Sequence, residues 1–270
     1  MKFSVLMSVY HKENPDFLRL SLESVWNQTL RPDQIVLVKD GPLTPQLEAE
    51  IEAFSQVCPV LKLLPLPENV GLGKALNAGL EACDYSLVAR MDTDDIALPH
   101  RFASQVAAFA EDPELDICGS HALEFEGTPD HVTAHKRVPI TDQEIRRYAR
   151  RRNPFNHPTV MYRKQAVLAA GSYQHALWFE DYYLWARMLA NGCRTCNIDD
   201  DLLYFRAGSD MFRRRGGLRY VKSAVSVKWK IYRMGVSGLG DFLYSAAAHS
   251  VVALMPNRLR SAVYARFLRK

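Results

Sequence analysis

Three carboxylates follow an apolar run in the segment 85-YSLVARMDTDD-95. Asp92, Asp94 and Asp95 carry like charges that repel one another at this density. Hard divalent cations such as Mg²⁺ and Mn²⁺ prefer oxygen ligands and usually share them with substrate phosphates. An Asp-x-Asp pair at the end of a strand lets two side chains converge on one such ion. The pattern predicts a metal–phosphate site, and a turn in which Asp95 caps a helix is the alternative.

A second pair of acids, Glu180 and Asp181, lies among five aromatic residues in 177-LWFEDYYLWARM-188. Apolar surroundings raise the pKa of a carboxylate and make it a better proton acceptor. The pair is therefore a candidate general base. Negative charge is also favoured in the first turn of a helix, so a purely structural helix start is the competing interpretation.

Two residues at other strand ends have side chains that suit a nucleoside. Asp40, in 36-VLVKDGP-42, is an acceptor for a donor group of a nucleobase or ribose, or else a turn residue before Gly41. Tyr10 offers a ring face on which a base can stack, or packs in the core. Both residues are candidates for a nucleotide-binding rim.

The segment 68-ENVGLGKALNAGL-80 contains G-x-G-K, but without the spacing of a phosphate-binding P-loop. It is better interpreted as a loop that enters a helix, whose N-terminus favours negative charge. Lys74 and Asn77 either reach the nucleotide from this helix or lie on its surface.

The predicted secondary structure brings these residues to one edge. Strand and helix patterns alternate four times in about the first 110 residues, which is typical of a mostly parallel sheet with helices on both faces. Ligands bind beyond the carboxyl ends of the strands in such sheets. The predicted strands are 3–10, 34–40, 60–66, 85–91, 115–125 and 158–164, and the predicted helices are 16–28 with Asp16 as its cap, 46–57, 71–82, 100–111, 141–152 and 180–191.

Composition and cysteine content restrict the class of protein. The chain has 270 residues, of which 48% are hydrophobic, enough for one large core or for one domain with an appended segment. This apolar content excludes a disordered chain. Five scattered cysteines indicate a reducing compartment. Cys193 and Cys196 form a C-x-x-C pair suited to redox chemistry or a metal, but no second pair completes a site.

Charge is distributed unevenly along the chain. Residues 206–270 hold 14 Lys/Arg and 2 Asp/Glu, a net charge of +12, whereas residues 1–205 carry a net charge of −8. The stretch 242–257 lacks Asp, Glu, Lys and Arg, but it is shorter than the ~20 residues of a bilayer span. With the basic, amphipathic stretch 258–270, it predicts contact with an anionic membrane surface. A solvated face plus a helix packed on the core is the alternative, and no recognition motif supports a nucleic-acid partner.

Taken in order, the motifs resemble those of the family 2 inverting glycosyltransferases, which have the GT-A nucleotide-sugar-binding fold. The resemblance spans about residues 3–206 and is closest to bacterial enzymes that extend lipid-linked O-antigen or exopolysaccharide repeat units. It implies an α/β GT-A catalytic domain at 1–206 and a basic, amphipathic helical extension at 207–270. The motifs that carry it are 4-SVLMSVYHKE-13, 23-ESVWNQTL-30, 35-IVLVKDG-41, 69-NVGLGKALNAGL-80, 88-VARMDTDDIALPHR-101, 157-HPTVMYRK-164 and 180-EDYYLW-185.

The resemblance implies a role for each matching residue at the sugar donor. A UDP-sugar would place its base, normally uracil, at Tyr10 and Asp40, although Lys39 replaces the first of the two acids usual before the glycine. Asp94, together with Asp92, would ligate Mn²⁺ or Mg²⁺ at the diphosphate. The implied nucleotide-sugar site consists of Tyr10, Asp40, Lys74, Asn77, Arg90, Asp92 and Asp95.

On the acceptor side, the resemblance implies that Asp181 is the general base, with Glu180 beside it. His157 and Trp178 would contact the acceptor sugar, and a structural role is the alternative for His157. The implied acceptor is a lipid-diphosphate-linked sugar. The basic triplet 213-RRR-215 either belongs to the membrane contact or meets the diphosphate of this acceptor. The enzyme would be cytoplasmic and peripheral on the inner membrane. Galactose is the expected sugar, with glucose as the alternative.

Two other classes of protein compete with this interpretation. A sugar nucleotidyltransferase also has an α/β sheet and metal-binding acids, but it would carry a Gly-rich, basic loop after the first strand, where this chain has 8-SVYHKENP-15. A non-catalytic nucleotide-sugar-binding module is the second class. The presence of both Asp94 and Asp181 argues against it.

Overall fold

The structure is a computed structural model that describes residues 1–208 and 216–256. The amphipathic stretch predicted at 258–270 and the triplet 213-RRR-215 lie outside the described residues.

The strands of the described chain form one mixed sheet. Its strands are β1 Phe3–Val9, β2 Gln34–Lys39, β3 Leu61–Pro65, β4 Leu87–Arg90, β5 Ile96–Ala97, β6 Leu115–Phe125, β7 Val132–Lys136, β8 Met161–Arg163 and β9 Arg194–Arg206. Their order across the sheet is β3-β2-β1-β4-β8-β6-β9-β5, and β7 pairs with β6. The pairs that join β1 to β2 and β4, and β2 to β3, are all parallel, whereas β8 is antiparallel to both of its neighbours. The predicted α/β fold with a largely parallel sheet is confirmed.

Helices cover both faces of this sheet. They are α1 Pro15–Trp26, α2 Pro45–Ser55, α3 Leu72–Ala82, α4 Arg101–Glu111, α5 Asp142–Ala149, α6 Lys164–Ala169, α7 Glu180–Ala190, α8 Leu218–Arg233 and α9 Leu239–Leu254, with a short 3₁₀ helix at His157–Thr159. One buried apolar cluster joins α1, α2 and α4 to the sheet, and a second joins α3, α5 and α7 to its other face. Each core strand is apolar in nearly every position because it is covered on both sides.

The first helix is capped by a different residue from the one predicted. The side chain of Asn14, not that of Asp16, accepts hydrogen bonds from the backbone N–H groups of Asp16 and Phe17. Pro15 follows at the first helical position, where the missing N–H costs nothing. The prediction of Asp16 as the cap was wrong, because the Asn14-Pro15 pair places the N-cap two residues earlier.

The long strand β9 was not predicted. Its segment 194-RTCNIDDDLLYFR-206 contains three consecutive aspartates, a residue type that is depleted in strands. The pairing with β6 shifts register between Ser120, which is opposite Ile198, and His121, which is opposite Asp201. The extra residues at this irregularity accommodate the acids. The alternation of apolar and polar residues is therefore interrupted, and the sequence pattern does not indicate a strand.

The two C-terminal helices pack on the outer side of α7. A third apolar cluster contains Phe179, Tyr182 and Ala186 together with Tyr220, Val227 and Ile231 of α8 and Ala253 of α9. No helix in the described part of the chain has both the length and the apolarity needed to cross a bilayer. The division into a domain at 1–206 and an extension at 207–270 stays a prediction.

Candidate active site

The candidate donor residues meet at one edge of the sheet because three strands run parallel. Val9 of β1 lies opposite Lys39 of β2, and Leu6 lies opposite Arg90 of β4. The backbone N–H of Asp40 also donates to the Val9 carbonyl at 2.8 Å. The residues that follow these strands therefore leave the sheet side by side, as predicted for the carboxyl ends of parallel strands.

The acid cluster lies at this edge. Asp92, Asp94 and Asp95 have carboxylate oxygens within 4.8 Å of one another, and they are the one group of three or more metal-ligating side chains among the described residues. Burial and the charges of Asp92 and Glu13 raise the pKa of Asp94 to about 7. Burial and the charges of Asp94 and Asp92 raise the pKa of Asp95 well above its ordinary value.

The donor set of the cluster fits a hard divalent cation. Asp95 uses Oδ1 to accept a 2.8 Å hydrogen bond from the Arg206 backbone N–H, while its buried Oδ2 has no partner among the described residues. An unpartnered buried carboxylate oxygen is costly, and two further carboxylates beside it increase the cost. A cation bound between these oxygens would remove both penalties.

Arg90 lies beneath the acids rather than at the surface of the cleft. Its side chain is 1% exposed and forms an ion pair with Asp92. Its Nε and Nη1 have no hydrogen-bond partner in the described part of the chain. A second buried arginine, Arg101, donates to the Arg90 carbonyl at 2.7 Å. Burial and the charge of Arg90 lower the pKa of Arg101 to about 9. Arg90 thus orients Asp92, and its predicted contact with the nucleotide sugar stays a prediction.

Glu13 and Arg206 complete the surroundings of the cluster, although neither was among the predicted site residues. Glu13 accepts a 2.9 Å hydrogen bond from the Thr93 hydroxyl, and burial raises its pKa. Arg206 donates from Nε to the Asp94 carbonyl at 2.8 Å. Glu13 stands at the end of the first motif, four residues beyond Val9, and this position after a strand end is the signal that could have identified it as a rim residue.

Tyr10 and Asp40 occupy different environments at the rim. Tyr10 is 37% exposed, so the alternative that it packs in the core is wrong. Asp40 is buried, and its carboxylate accepts hydrogen bonds from the Val70 and Gly71 backbone N–H groups at 2.7 and 3.1 Å. The Asn69 side-chain amide donates to it as well, at 3.0 Å. Asp40 therefore holds the loop that leads into α3 against the end of β2.

The two candidates on α3 also differ. Lys74 is exposed, so it is free to extend toward a ligand or toward solvent. The side-chain amide of Asn77 donates to the Tyr173 carbonyl and accepts from the Tyr173 N–H, both at 2.8 Å. Asn77 thus fixes the segment around Tyr173, and its predicted contact with the nucleotide stays a prediction.

Asp181 lies in the first turn of α7, where the sequence places the general base. Its Oδ2 accepts a 2.6 Å hydrogen bond from the Asn153 amide, and its Oδ1 accepts one from the Tyr182 N–H at 2.7 Å. Burial raises the pKa of Asp181, and the two hydrogen bonds oppose that rise. Asn153 was not among the predicted residues, because its contact with Asp181 joins segments far apart in sequence.

Glu180 connects the general-base region to the acid cluster. Burial and the charge of Asp181 raise its pKa to about 7. The charge of Asp92 contributes to the same rise. Helix α3 lies against this turn: a Cβ at Gly73 would be in ordinary van der Waals contact with the Cβ of Glu180, at 4.0 Å.

The two predicted acceptor contacts have different surroundings. His157 is half-buried, its Nε2 lies 2.9 Å from the Tyr173 hydroxyl, and burial lowers its pKa well below the ordinary value. The neutral ring is thus fixed by a protein partner. Trp178 is 37% exposed and has a φ of 67°, a left-handed conformation that is rare for a bulky residue. Such strain is concentrated at functional sites, which supports the predicted acceptor contact of Trp178.

The chain was compared with known proteins. The profile of Glycosyl transferase family 2 matches residues 4–171. An uncharacterised glycosyltransferase of Haemophilus influenzae is 46% identical over 100% of both chains. The amylovoran biosynthesis glycosyltransferase AmsE of Erwinia amylovora is 46% identical over 86% of this chain and 85% of its own. The UDP-Gal:α-D-GlcNAc-diphosphoundecaprenol β-1,3-galactosyltransferase of Escherichia coli is 35% identical over 100% of this chain and 97% of its own.

Solved structures show the same fold. TarS 1–349 of S. aureus, in complex with UDP-GlcNAc, has a TM-score of 0.64 at 19% identity, over 99% of this chain and 72% of that chain. The mannosyltransferase PcManGT from Pyrobaculum calidifontis, in complex with GDP-Man and Mn²⁺, has a TM-score of 0.64 at 15% identity, over 98% of this chain and 79% of that chain. At these identities the likeness concerns the fold alone.

Proposed function

Because the chain belongs to glycosyltransferase family 2, we propose that it transfers galactose from UDP-galactose to an N-acetylhexosamine joined to a lipid through a diphosphate. The Escherichia coli relative at 35% identity is named for this reaction, with GlcNAc-diphosphoundecaprenol as the acceptor. AmsE, at 46% identity, is named for amylovoran biosynthesis. These names support a place in O-antigen or exopolysaccharide synthesis.

One observation carries the proposal. The first turn of α3, whose preceding loop Asp40 holds at the nucleotide rim, lies against Glu180, because a Cβ at Gly73 would be 4.0 Å from the Glu180 Cβ. Two groups of carboxylates that share a cleft suit a reaction with a charged leaving group on one side and a proton to remove on the other. A nucleotidyltransferase, the rival enzyme class, needs no such base beyond the metal-binding acids.

The donor lies at the rim formed by β1, β2 and β4. Tyr10 offers its exposed ring to the base, and the loop held by Asp40 borders the nucleotide. Asp94 and Asp92 are the residues that would hold Mn²⁺ or Mg²⁺. When bound, such a cation supplies positive charge where the diphosphate leaves. Arg90, paired with Asp92 from below, keeps that carboxylate in position.

Asp181 acts on the acceptor. Each of its oxygens accepts one hydrogen bond from the protein and keeps a lone pair for the acceptor hydroxyl. Asp181 takes the proton of this hydroxyl as the oxygen attacks the anomeric carbon from the face opposite the diphosphate. One displacement breaks the bond to UDP and inverts the configuration. Trp178 borders the acceptor sugar, and His157 braces Tyr173 behind it.

The exposed face of α9 supports peripheral attachment to a membrane. Leu239, Leu243, Val251 and Leu254 are each more than half exposed and recur at the spacing of one helical face. The preceding helix α8 carries the exposed basic residues Lys222 and Arg233. An apolar face beside cationic side chains favours the interface of an anionic bilayer. The acceptor lipid would be found at the same surface.

A transfer assay tests the proposed function. UDP-galactose and UDP-glucose are each incubated with a synthetic α-GlcNAc-diphospho-alkyl lipid, with and without Mn²⁺. We expect transfer from UDP-galactose only, dependent on the cation, with a β-linked product by NMR. Preferred transfer from UDP-glucose would show that the transferred sugar is glucose and not galactose. An α-linked product would refute the single-displacement mechanism.

A further inference from the structure

A cavity of about 980 Å³ is lined by residues that have no role in the reaction described so far. Its walls are the segment that follows β7, the helix α5 with the residues after it, and the helix α9. Five arginines line it: Arg137, Arg147, Arg150, Arg151 and Arg152. We call this cavity the arginine groove.

The acidic residues of the arginine groove are already occupied by other partners. Glu144 accepts hydrogen bonds from Thr141 in the capping box of α5. Asp199 contacts His121 at 3.1 Å. Asp241 pairs with Arg151 at 2.6 Å. These acids are therefore committed to holding the walls of the groove.

Of the five arginines, Arg137 and Arg151 have acidic partners, and the charge of Arg147 acts on Glu144. Arg150 and Arg152 are left for an external anion. Arg150 and Arg152 are exposed, and neither forms an ion pair with any residue that the structure describes. Their backbone is fixed from below, because Lys228 of α8 donates from Nζ to the Arg151 carbonyl at 2.9 Å. Arg151 lies 4.8 Å from the centre of the Tyr244 ring and fastens α9 to the groove. The guanidinium fork matches the geometry of a phosphate.

Both walls of the groove start next to groups that reach Asp181. Arg152 immediately precedes Asn153, whose amide binds the Asp181 carboxylate. On the other wall, Arg137 immediately follows Lys136, whose charge acts on Asp181 and lowers its pKa. The groove is thus joined through the backbone of both walls to groups that act on Asp181. In a diphosphate-linked acceptor, the phosphate is separated from the attacking hydroxyl by a single sugar.

The same helix that closes the groove also carries the exposed apolar face. Tyr244, His249 and Val252 of α9 line the groove, while Leu243 and Val251 are exposed beside them. A lipid chain that leaves a diphosphate in the groove therefore meets apolar side chains at once. The surface combines charge for a diphosphate with an apolar exit for its lipid.

We propose that the arginine groove binds the diphosphate of the lipid-linked acceptor, with Arg150 and Arg152 as its principal ligands. The proposal rests on the proposed function, since it assigns the acceptor of that reaction to a surface. Arg150 and Arg152 are binding residues, and the chemistry stays with Asp181.

The test compares two acceptors: the α-GlcNAc-diphospho-alkyl lipid and the phosphate-free alkyl α-GlcNAc glycoside with the same chain. For the double variant Arg150→Gln/Arg152→Gln, kcat/KM on the diphosphate acceptor should fall about tenfold or more, mainly through KM, because charge-assisted hydrogen bonds are lost. The value for the neutral glycoside should change no more than about twofold. Arg150→Lys/Arg152→Lys, which keeps the charge but not the fork, should lie between.

Arg194→Gln is the matched control, because Arg194 is an exposed arginine that does not line the groove and that pairs with Asp112 on the protein surface. The KM for UDP-galactose and the Tm should stay at the wild-type value in every variant. Equal losses on both acceptors, or no loss on either, would overturn the assignment of the groove. Loss of binding to acceptor-free phosphatidylglycerol vesicles, with the preference for the diphosphate acceptor intact, would assign the groove to membrane headgroups instead. If the wild type transfers to neither acceptor, the proposed function itself fails.

Discussion

Asp181 gains its basicity from burial, and Asn153 limits how far its pKa rises. Burial favours the neutral carboxylic acid, while the hydrogen bonds from Tyr182 and Asn153 favour the carboxylate. A general base works in its deprotonated form, so in the proposed mechanism we expect activity to decline as the pH falls through this raised pKa. The balance between these effects sets the acid limb of the pH–rate profile.

Substitution of Asn153 by Ala should therefore move the acid limb of kcat/KM to higher pH. The lost hydrogen bond is worth about 1 kcal/mol, so the shift should be up to about one pH unit. The pH dependence of kcat/KM for the acceptor measures it directly. Asn191→Ala, at the other end of α7, is the control and should leave the limb in place. An unmoved limb, or a shift to lower pH, would remove Asn153 from the surroundings of the base.

Residue types at motif positions were predictable, but their partners were not. The sequence marks Asp92, Asp94 and Asp181 because carboxylates are rare among apolar neighbours. It does not mark Asn153, whose role exists only through a contact with Asp181 across the fold. It also cannot distinguish the exposed ring of Tyr10 from a buried one, since both fit the end of an apolar strand.

At the scale of the elements, the end of β2 and the loop before α3 act as one unit. Asp40 accepts hydrogen bonds from the loop, and Gly41 lets the two backbones approach closely. Gly41 has a φ of 84°, and a Cβ there would lie 2.6 Å from the Asn69 backbone nitrogen. This contact keeps the entrance of α3 at the nucleotide rim.

Gly41→Ala should raise the KM for the UDP-sugar severalfold and lower the Tm, because the added Cβ displaces the loop. Gly192→Ala is a matched control: Gly192 has a φ of 83°, with no atom within 4 Å of a Cβ. That control should cost only the left-handed strain of about 1–2 kcal/mol and leave the KM unchanged. Donor KM and thermal unfolding are measured for both. Identical effects of the two variants would show that the loop contact does not shape the donor site.

The parallel half of the sheet was predictable because strands covered by helices on both faces are continuous apolar runs. Helices α2, α3, α4 and α7 were placed within two residues at each end. The antiparallel half was harder. β7 is a short, polar strand, and β9 contains aspartates that only an irregular register accommodates.

At the scale of the whole molecule, the active site and the proposed membrane surface are coupled through α7 and α8. Phe179, next to Glu180, packs against Tyr220 with ring centres 5.2 Å apart. The C-terminal helices are thus joined to the turn that carries the base. Uneven charge along the sequence predicted a distinct C-terminal part, whereas its packing on α7 required the structure.

Leu243→Gln/Val251→Gln should weaken binding to phosphatidylglycerol vesicles about tenfold or more. Full burial of one such apolar side chain, here in the bilayer interface, contributes about 1.5–3 kcal/mol. Vesicle co-sedimentation measures the bound fraction. Val57→Gln, at another exposed apolar residue, is the control and should bind as the wild type does. Unchanged binding of the double variant would exclude the exposed face of α9 as the membrane contact.

The central claim is that the acid cluster serves the donor while Asp181 serves the acceptor. The most direct measurement is the turnover of Asp181→Asn together with its calorimetric affinity for UDP and Mn²⁺, alongside Asp94→Asn. We predict that Asp181→Asn loses about 10²–10⁴-fold in kcat and keeps its UDP affinity, whereas Asp94→Asn loses the Mn²⁺-dependent affinity. Near-normal turnover of Asp181→Asn, or an equal loss of UDP affinity in both variants, would contradict the claim.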